Sequence, residues 1–275
     1  MTAAAHSEPR LKTIASLANR TVKLLRGLHS GKGREETGLF LAEGRRTATH
    51  ALRQGAAPRI LLYHAAERDR DEVARLRSAC LSAGGECLEV NDEILAKIAR
   101  KDNPQPVIGA YPIATRRAED LDPRAVRLVV ALDRVRDPGN LGTILRTADA
   151  AGADGVLLIG ESCDPFSVEA VRASMGSIFS VPVYAGGEAD FLRLAASWPG
   201  MILGTSSAAG RDYRSVRPAK PTLLVMGNEQ AGISSAVAAA CTEMLRIPLA
   251  REVESLNLAV ATGILLFALT GPGGT

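Results

Sequence analysis

The chain has 275 residues, 46% hydrophobic and 23% charged, enough to bury a core in one large domain or two ordinary ones, which excludes a disordered or fibrous protein. Net charge is only +3, yet residues 1–108 hold 18 Lys and Arg against 13 Asp and Glu, and 109–275 hold 15 against 17, so the two parts carry +5 and −2. All four histidines (His6, His29, His50, His64) lie in the first quarter, which removes Ser-His-Asp triads and histidine metal ligands from the rest.

In chain order, residues 1–10 read as a loose tail. From about Ala18 to His29, Val22, Leu24, Leu25 and Leu28 mark one helical face, while Arg20, Lys23 and Arg26 make the other face basic. A polar break over Ser30–Gly38 leads to a short strand, Leu39-Phe40-Leu41, then Glu43-Gly44-Arg45-Arg46 and a helix ending near Arg53. A strand at Ile60–Tyr63, a charged helix from about Glu67 to Ala83, a strand at Glu86–Val90 and a helix at Asp92–Ala99 complete an alternating α/β domain. Thr115-Arg116-Arg117-Ala118-Glu119-Asp120, followed by Pro123, reads as a linker over 113–124 between domains at 1–112 and 125–275. Beyond it, strands read at Leu128–Leu132, Val156–Ile159, Val181–Tyr184, Met201–Gly204, Leu223–Met226 and Arg246–Leu249. Helices read at about Leu141–Ala151, Val168–Ser174, Ala189–Ala196, Ser234–Ala240 and Asn257–Leu269. Runs such as Val-Val-Ala-Leu and Leu-Leu-Val-Met are apolar on both faces, which predicts a mostly parallel sheet covered by helices on both sides.

Several function classes drop out. Ten scattered aromatics weigh against a sheet that stacks bases. Cys80, Cys87, Cys163 and Cys241 form no C-x-x-C pair, so they read as buried free thiols of a reducing compartment rather than zinc ligands or disulfides. No apolar run reaches the ~18 residues of a membrane span. Arg10, Lys12, Arg20 and Lys23 interrupt any secretory h-region, so a cytoplasmic protein is expected. No G-x-G-x-x-G follows Leu128–Leu132, and Gly31-Lys32-Gly33 lacks P-loop spacing.

Ligands of such sheets bind at the carboxyl ends of the strands. Three loops there stand out: Asp133–Ala148, Gly227–Ser234 and Ile247–Ala261. Each has a bland reading, Asp-Pro-Gly-Asn as a turn, Gly-Asn-Glu-x-x-Gly as a connection, and Ser255 or Asn257 as a helix cap. Together, Asp137-Pro-Gly-Asn140-Leu-Gly142…Arg146-Thr-Ala, Gly227-Asn-Glu229-x-x-Gly232 and Ile247-Pro248…Glu254-Ser-Leu-Asn257-Leu-Ala-Val-Ala261 resemble the three motifs of the SpoU/TrmH family of SPOUT-class RNA ribose 2′-O-methyltransferases. Arg172-Ala-Ser-Met-Gly176 resembles a further family segment. Asn19-Arg20…Lys32-Gly-Arg34…Leu-Phe40-Leu-Ala-Glu43-Gly44 looks like the L30e-like substrate-binding domain found in many members. Gln230 departs from the Gly that many members place after the motif-two Glu.

The resemblance implies an α/β catalytic domain with a deep trefoil knot, S-adenosylmethionine bound in its loops, and a homodimer whose subunits both shape each site. It places the cofactor on the backbones of Gly227, Ile247 and Leu256, and the catalytic roles on Asn140, Arg146, Glu229, Ser255 and Asn257, with no metal. A guanidinium with a pKa above ~12 is a poor base, so Arg146 is expected to clamp a phosphate and stabilise charge on the ribose oxygen. Arg20, Lys23, Lys32, Arg34, Arg45 and Arg46 are either a solvated face or an RNA-docking surface. The expected substrate is ribosomal RNA ahead of transfer RNA. A non-catalytic RNA-binding or ribosome-assembly factor on the same fold is the rival.

Overall fold

The computed structural model describes residues 11–251 and 255–270. The tail read over 1–10 and the motif-three residues 252–254 lie outside them. Contacts divide the described residues into two compact units, those up to Ile113 with Phe166–Arg172, and Ala114–Pro165 with those from Ala173 onward.

The first unit runs β1 (Leu11–Ile14), α1 (Arg20–Gly27), α2 (Gly31–Thr37), β2 (Leu39–Glu43), α3 (Arg45–Arg53), β3 (Ile60–His64), α4 (Asp71–Ser82), β4 (Glu86–Val90), α5 (Asp92–Ala99) and β5 (Val107–Pro112). Its sheet has the order β1-β4-β3-β5-β2, with β5 antiparallel to both neighbours and the other pairs parallel. Period-two alternation splits β3 between two cores. Leu61 and Tyr63 pack with Val73 and Leu76 of α4, while Ile60 and Leu62 pack with Val22 and Leu25 of α1 and Ile94 and Ile98 of α5.

Three elements correct the sequence reading, the first being β1, a strand that pairs Leu11–Ile14 with β4 where none was expected. β5 went unread; its apolar run pairs with β2 and β3, strands far away in the chain. The polar break over Ser30–Gly38 is a helix, because Ser30 caps the Gly33 N–H at 3.0 Å and Gly38 ends it with a φ of 66°. Arg34 is buried within α2, where its guanidinium donates to the Leu28 carbonyl at 2.8 Å. A segment from far along the chain also belongs here. Phe166 lies 4.9 Å from the Phe40 ring, and the Arg172 guanidinium donates to Glu43 and, at 2.9 Å, to the Ala99 carbonyl.

The second unit runs β6 (Thr115–Arg117), β7 (Leu128–Asp133), α6 (Pro138–Ala150), β8 (Gly155–Ile159), α7 (Val168–Ala173, nearly all in the first unit), β9 (Val183–Gly186), α8 (Glu188–Ala196), β10 (Met201–Thr205), β11 (Arg211–Asp212), β12 (Thr222–Met226), α9 (Ser235–Ala239), β13 (Glu243–Arg246) and α10 (Leu258–Thr270). Its eight strands are parallel throughout, in the order β11-β13-β10-β12-β7-β8-β9-β6. This agrees with the doubly apolar strands β7, β8 and β12, every residue of which is buried.

The stretch read as linker is partly structure: Thr115–Arg117 pairs with β9, and Ala118 and Leu121 are buried in this unit's core. Its charges belong to an edge strand, where exposed side chains are tolerated. The last predicted strand is displaced by three residues, from Arg246–Leu249 to Glu243–Arg246. Pro248 has no N–H for a ladder, so pairing stops before it.

Candidate active site

β7 and β12 are parallel neighbours, with Leu132 opposite Met226, so the loops that follow them start level at the same sheet edge. Their local chemistry differs. After β7, Asp137 caps α6 by accepting the Asn140 N–H at 2.5 Å, with Pro138 in the first helical position, where no N–H is needed. After β12, Asn228 and Gly232 exchange two backbone hydrogen bonds of 3.0 Å, and the Asn228 carboxamide oxygen accepts from the N–H groups of Gln230 (2.9 Å) and Ala231 (3.0 Å). Gln230 contributes only its backbone to this turn, so its departure from the family pattern is accommodated.

Three of the predicted residues meet. The Glu229 carboxylate accepts from the backbone N–H groups of Arg136 and Asp137 and from Asn140 Nδ2, each at 3.3 Å. Asn140 Oδ1 in turn accepts from Asn257 Nδ2 at 2.9 Å. Asn257 also caps α10, accepting from the N–H groups of Ala259 (2.9 Å) and Val260 (3.3 Å). One continuous relay, Asn257 to Asn140 to Glu229, therefore links all three motif loops. Partial burial alone would raise the Glu229 pKa, but hydrogen bonds from its own backbone, from Asn140 and from Arg136 and Asp137 outweigh it and hold the pKa below the ordinary carboxylate value.

Arg146 is not in the relay. It lies six residues beyond Asn140 on α6, about 9 Å along the axis and about 120° around it. Its side chain is exposed and makes no hydrogen bond or ion pair among the described residues. Ser255 is exposed on the loop that leads to Asn257, also without such a bond there. Gly227 needs its missing side chain for the loop itself: a Cβ would collide with the backbone of Gly232 and Ile233. The tight turn thus requires glycine here independently of any ligand. Ile247 and Leu256 are half-buried, as is Leu249, which leaves apolar surface on the strand-end loops.

The six basic candidates of the first unit separate by environment. Arg20, Lys23, Lys32 and Arg46 are exposed, with Lys32 near Glu36 at 3.7 Å. Arg45 pairs with Glu67 (3.3 Å) and Glu72 (3.5 Å). Arg34 is a buried structural residue and is removed from the docking surface. Among the described residues no group of His, Cys, Asp and Glu is placed to hold a metal, and no helix is long and apolar enough to cross a membrane. Sequence reasoning missed Asn228, whose Nδ2 donates to the Arg134 carbonyl at 2.7 Å; its place inside Gly-Asn-Glu was the available signal.

A family model described as the SpoU rRNA Methylase family matches residues 127–267, and a second, an MRM3-like substrate binding domain, matches 19–109. The 23S rRNA (guanosine(2553)-2'-O)-methyltransferase RlmP of Bacillus subtilis is 32% identical over 261 residues, 95% of this chain and 100% of that protein. The 23S rRNA (uridine(2479)-2'-O)-methyltransferase of Streptomyces viridochromogenes is 35% identical over 85% of this chain and 83% of its own. Among solved structures, the AdoMet-bound rRNA methyltransferase from Sinorhizobium meliloti superposes with a TM-score of 0.89 at 43% identity, covering 95% of this chain and 98% of that one.

Proposed function

The chain belongs to the SpoU rRNA methylase family as an S-adenosylmethionine-dependent RNA 2′-O-methyltransferase, and we propose that it methylates one ribose of 23S-type ribosomal RNA with the Asn257–Asn140–Glu229 relay at its centre. That relay is the observation that carries the reading, because it unites three separate motif loops through side chains.

S-adenosylmethionine supplies an activated methyl group when bound. The loops fit it: the half-buried Ile247 and Leu256 offer apolar surface for a nucleoside, and the loop from Gly227 leaves the sheet at the same edge as the motif-one loop. Glu229 and Asn257 occupy one N–H and one acceptor site of the Asn140 amide, leaving one of each for the substrate sugar. Asn140 thus orients the ribose. Glu229 is not the proton acceptor in this reading, since three donors occupy its carboxylate. Ser255 holds substrate or cofactor from the same loop as Asn257. Arg146 clamps a phosphate and stabilises charge on the attacking oxygen, which alignment of oxygen, carbon and sulfur would otherwise leave uncompensated.

The proposal includes a homodimer. α10 is apolar on every side, which suits a buried helix, yet Val260 is 53% and Phe267 56% exposed. A second copy on this face would cover them, and would let Arg146 of one protomer complete the site of its partner. The knotted threading, a cytoplasmic location and phosphate contacts by Arg20, Lys23, Lys32, Arg45 and Arg46 complete the reading.

The test is methyl transfer from tritiated S-adenosylmethionine to ribosomal RNA of cells lacking the gene, followed by mapping of the 2′-O-methyl position. One ribose in the large-subunit RNA should be labelled. Label on transfer RNA alone would shift the substrate, and no cofactor binding at millimolar concentration would favour the non-catalytic factor.

A further inference from the structure

The motif-two loop is fastened at both ends to one dipeptide that neither the motifs nor the relay includes. At its start, Asn228 Nδ2 donates to the Arg134 carbonyl at 2.7 Å. At its end, the Ser234 N–H donates to Asp133 Oδ2 at 2.6 Å. Between these points Glu229 reaches the Arg136 and Asp137 N–H groups. The loop is therefore hung on the turn after β7 by side chains.

The dipeptide is itself unusual. Asp133 is 1% exposed, a carboxylate at the edge of an apolar core. Arg134 neutralises it with two hydrogen bonds, Nε to Oδ1 at 2.8 Å and Nη2 to Oδ2 at 3.2 Å. Such adjacent pairing needs the backbone to turn back on itself, and Arg134 has a φ of 56°, a conformation that costs a non-glycine residue free energy. The same turn carries the Arg134 carbonyl to Asn228. Ser234 is fixed from its other side too, by its Oγ donating to Glu188 at 2.9 Å.

We propose that Asp133 and Arg134 are positioning residues of the methyltransferase site, setting the motif-two loop so that its backbone meets the cofactor and Glu229 meets Asn140. They touch neither cofactor nor RNA in this scheme; they act through Asn228 and Ser234. The inference rests on the methyl-transfer reading, since it assigns the loop's ligand.

The test uses the full-length protein, S-adenosylmethionine and ribosomal RNA from cells lacking the gene. Arg134→Gly is the informative variant, because glycine adopts a positive φ freely and so removes the guanidinium without straining the turn. Losing a charge-assisted pair that orients a binding loop should raise the KM for S-adenosylmethionine by roughly tenfold, more than it lowers kcat. Arg134→Lys keeps the cation and should recover part of the KM. Adding Asp133→Asn to Arg134→Gly removes the orphaned buried charge, so the double variant should melt higher than Arg134→Gly alone. An unchanged KM in Arg134→Gly beside an active wild type overturns the proposal. So does a fall in Tm with kcat reduced and KM unmoved, which would make the pair a prop of the fold. A wild type that neither binds S-adenosylmethionine nor transfers methyl refutes the parent reading instead.

Discussion

Gly227→Ala separates two reasons for a glycine at the end of β12. If the residue only makes room for a nucleoside, alanine leaves the free protein untouched and lowers cofactor affinity alone. The geometry argues otherwise. A Cβ at Gly227 would sit 2.8 Å from Gly232 Cα and closer still to Gly232 C and Ile233 N, all backbone atoms that no rotamer change can move. The loop must swing away, breaking the two 3.0 Å hydrogen bonds between Asn228 and Gly232. At about 1 kcal/mol each, plus about 1 kcal/mol for residual overpacking, the cost is roughly 3 kcal/mol. At roughly 2–4 °C per kcal/mol for a domain of this size, the cofactor-free protein should melt about 6–12 °C lower. Differential scanning fluorimetry without ligand measures this, and calorimetric titration with S-adenosylmethionine measures the accompanying loss of affinity. Gly232→Ala is the control: its φ is 66° but its Cβ would meet open space, so it should cost only about 1 kcal/mol. An unchanged melting temperature for Gly227→Ala with weakened cofactor binding would refute the reasoning and restore the nucleoside explanation.

Asn257→Asp keeps an oxygen to cap α10 but loses the Nδ2 donor to Asn140, so turnover should collapse while stability holds; Asn257→Ala should lose both, with about 1 kcal/mol of stability in a urea titration. The lowered Glu229 pKa means that its hydrogen bonds stabilise the fold fully above the ordinary carboxylate value near 4.5 and fade as pH falls through the lower folded value. Glu229→Gln should therefore flatten this acid limb of an unfolding-versus-pH curve, and an unchanged limb would show that the carboxylate is not held as described. Arg34→Ala leaves the Leu28 carbonyl without its guanidinium partner and should destabilise the first unit by about 1–3 kcal/mol, whereas Lys23→Ala should leave stability alone and lessen the salt dependence of RNA binding in filter assays.

The difference between Arg34 and Lys23 shows where sequence reading stops. Both stand in the same basic stretch. Lys23 faces outward because Val22 and Leu25 fix the buried side of α1, a periodicity that is legible in one dimension. Arg34 is buried because α2 turns it toward the Leu28 carbonyl, and α2 itself is stabilised by caps rather than by an apolar stripe. In Gly-Lys-Gly-Arg-Glu-Glu-Thr no hydrophobic pattern announces a helix. β5 was missed for a different reason, since its partners β2 and β3 end 64 and 43 residues before it begins and the pairing enthalpy lies wholly in contacts of long range.

The second unit was more legible because burial on both faces makes strands β7, β8 and β12 apolar without interruption, and because α6, α9 and α10 begin at the polar caps Asp137, Ser234 and Asn257. What no local pattern carries is the strand order. β7 and β12 lie 89 residues apart, Asp133 to Thr222, with four strands between them in the chain, yet they are neighbours in the sheet. That adjacency is what turns three motifs into one site: it sets Asn140 against Glu229 and gives Asp133 and Arg134 a loop to hold. The same logic explains Arg146. Helical geometry places it about 120° away from Asn140 whatever the sheet does, so no rearrangement of strands within one chain brings the two onto one face. The motif therefore holds two kinds of residue, those whose meeting is decided by sheet topology and one directed outward by the helix, and it is this outward one that the proposed homodimer assigns to the partner's site.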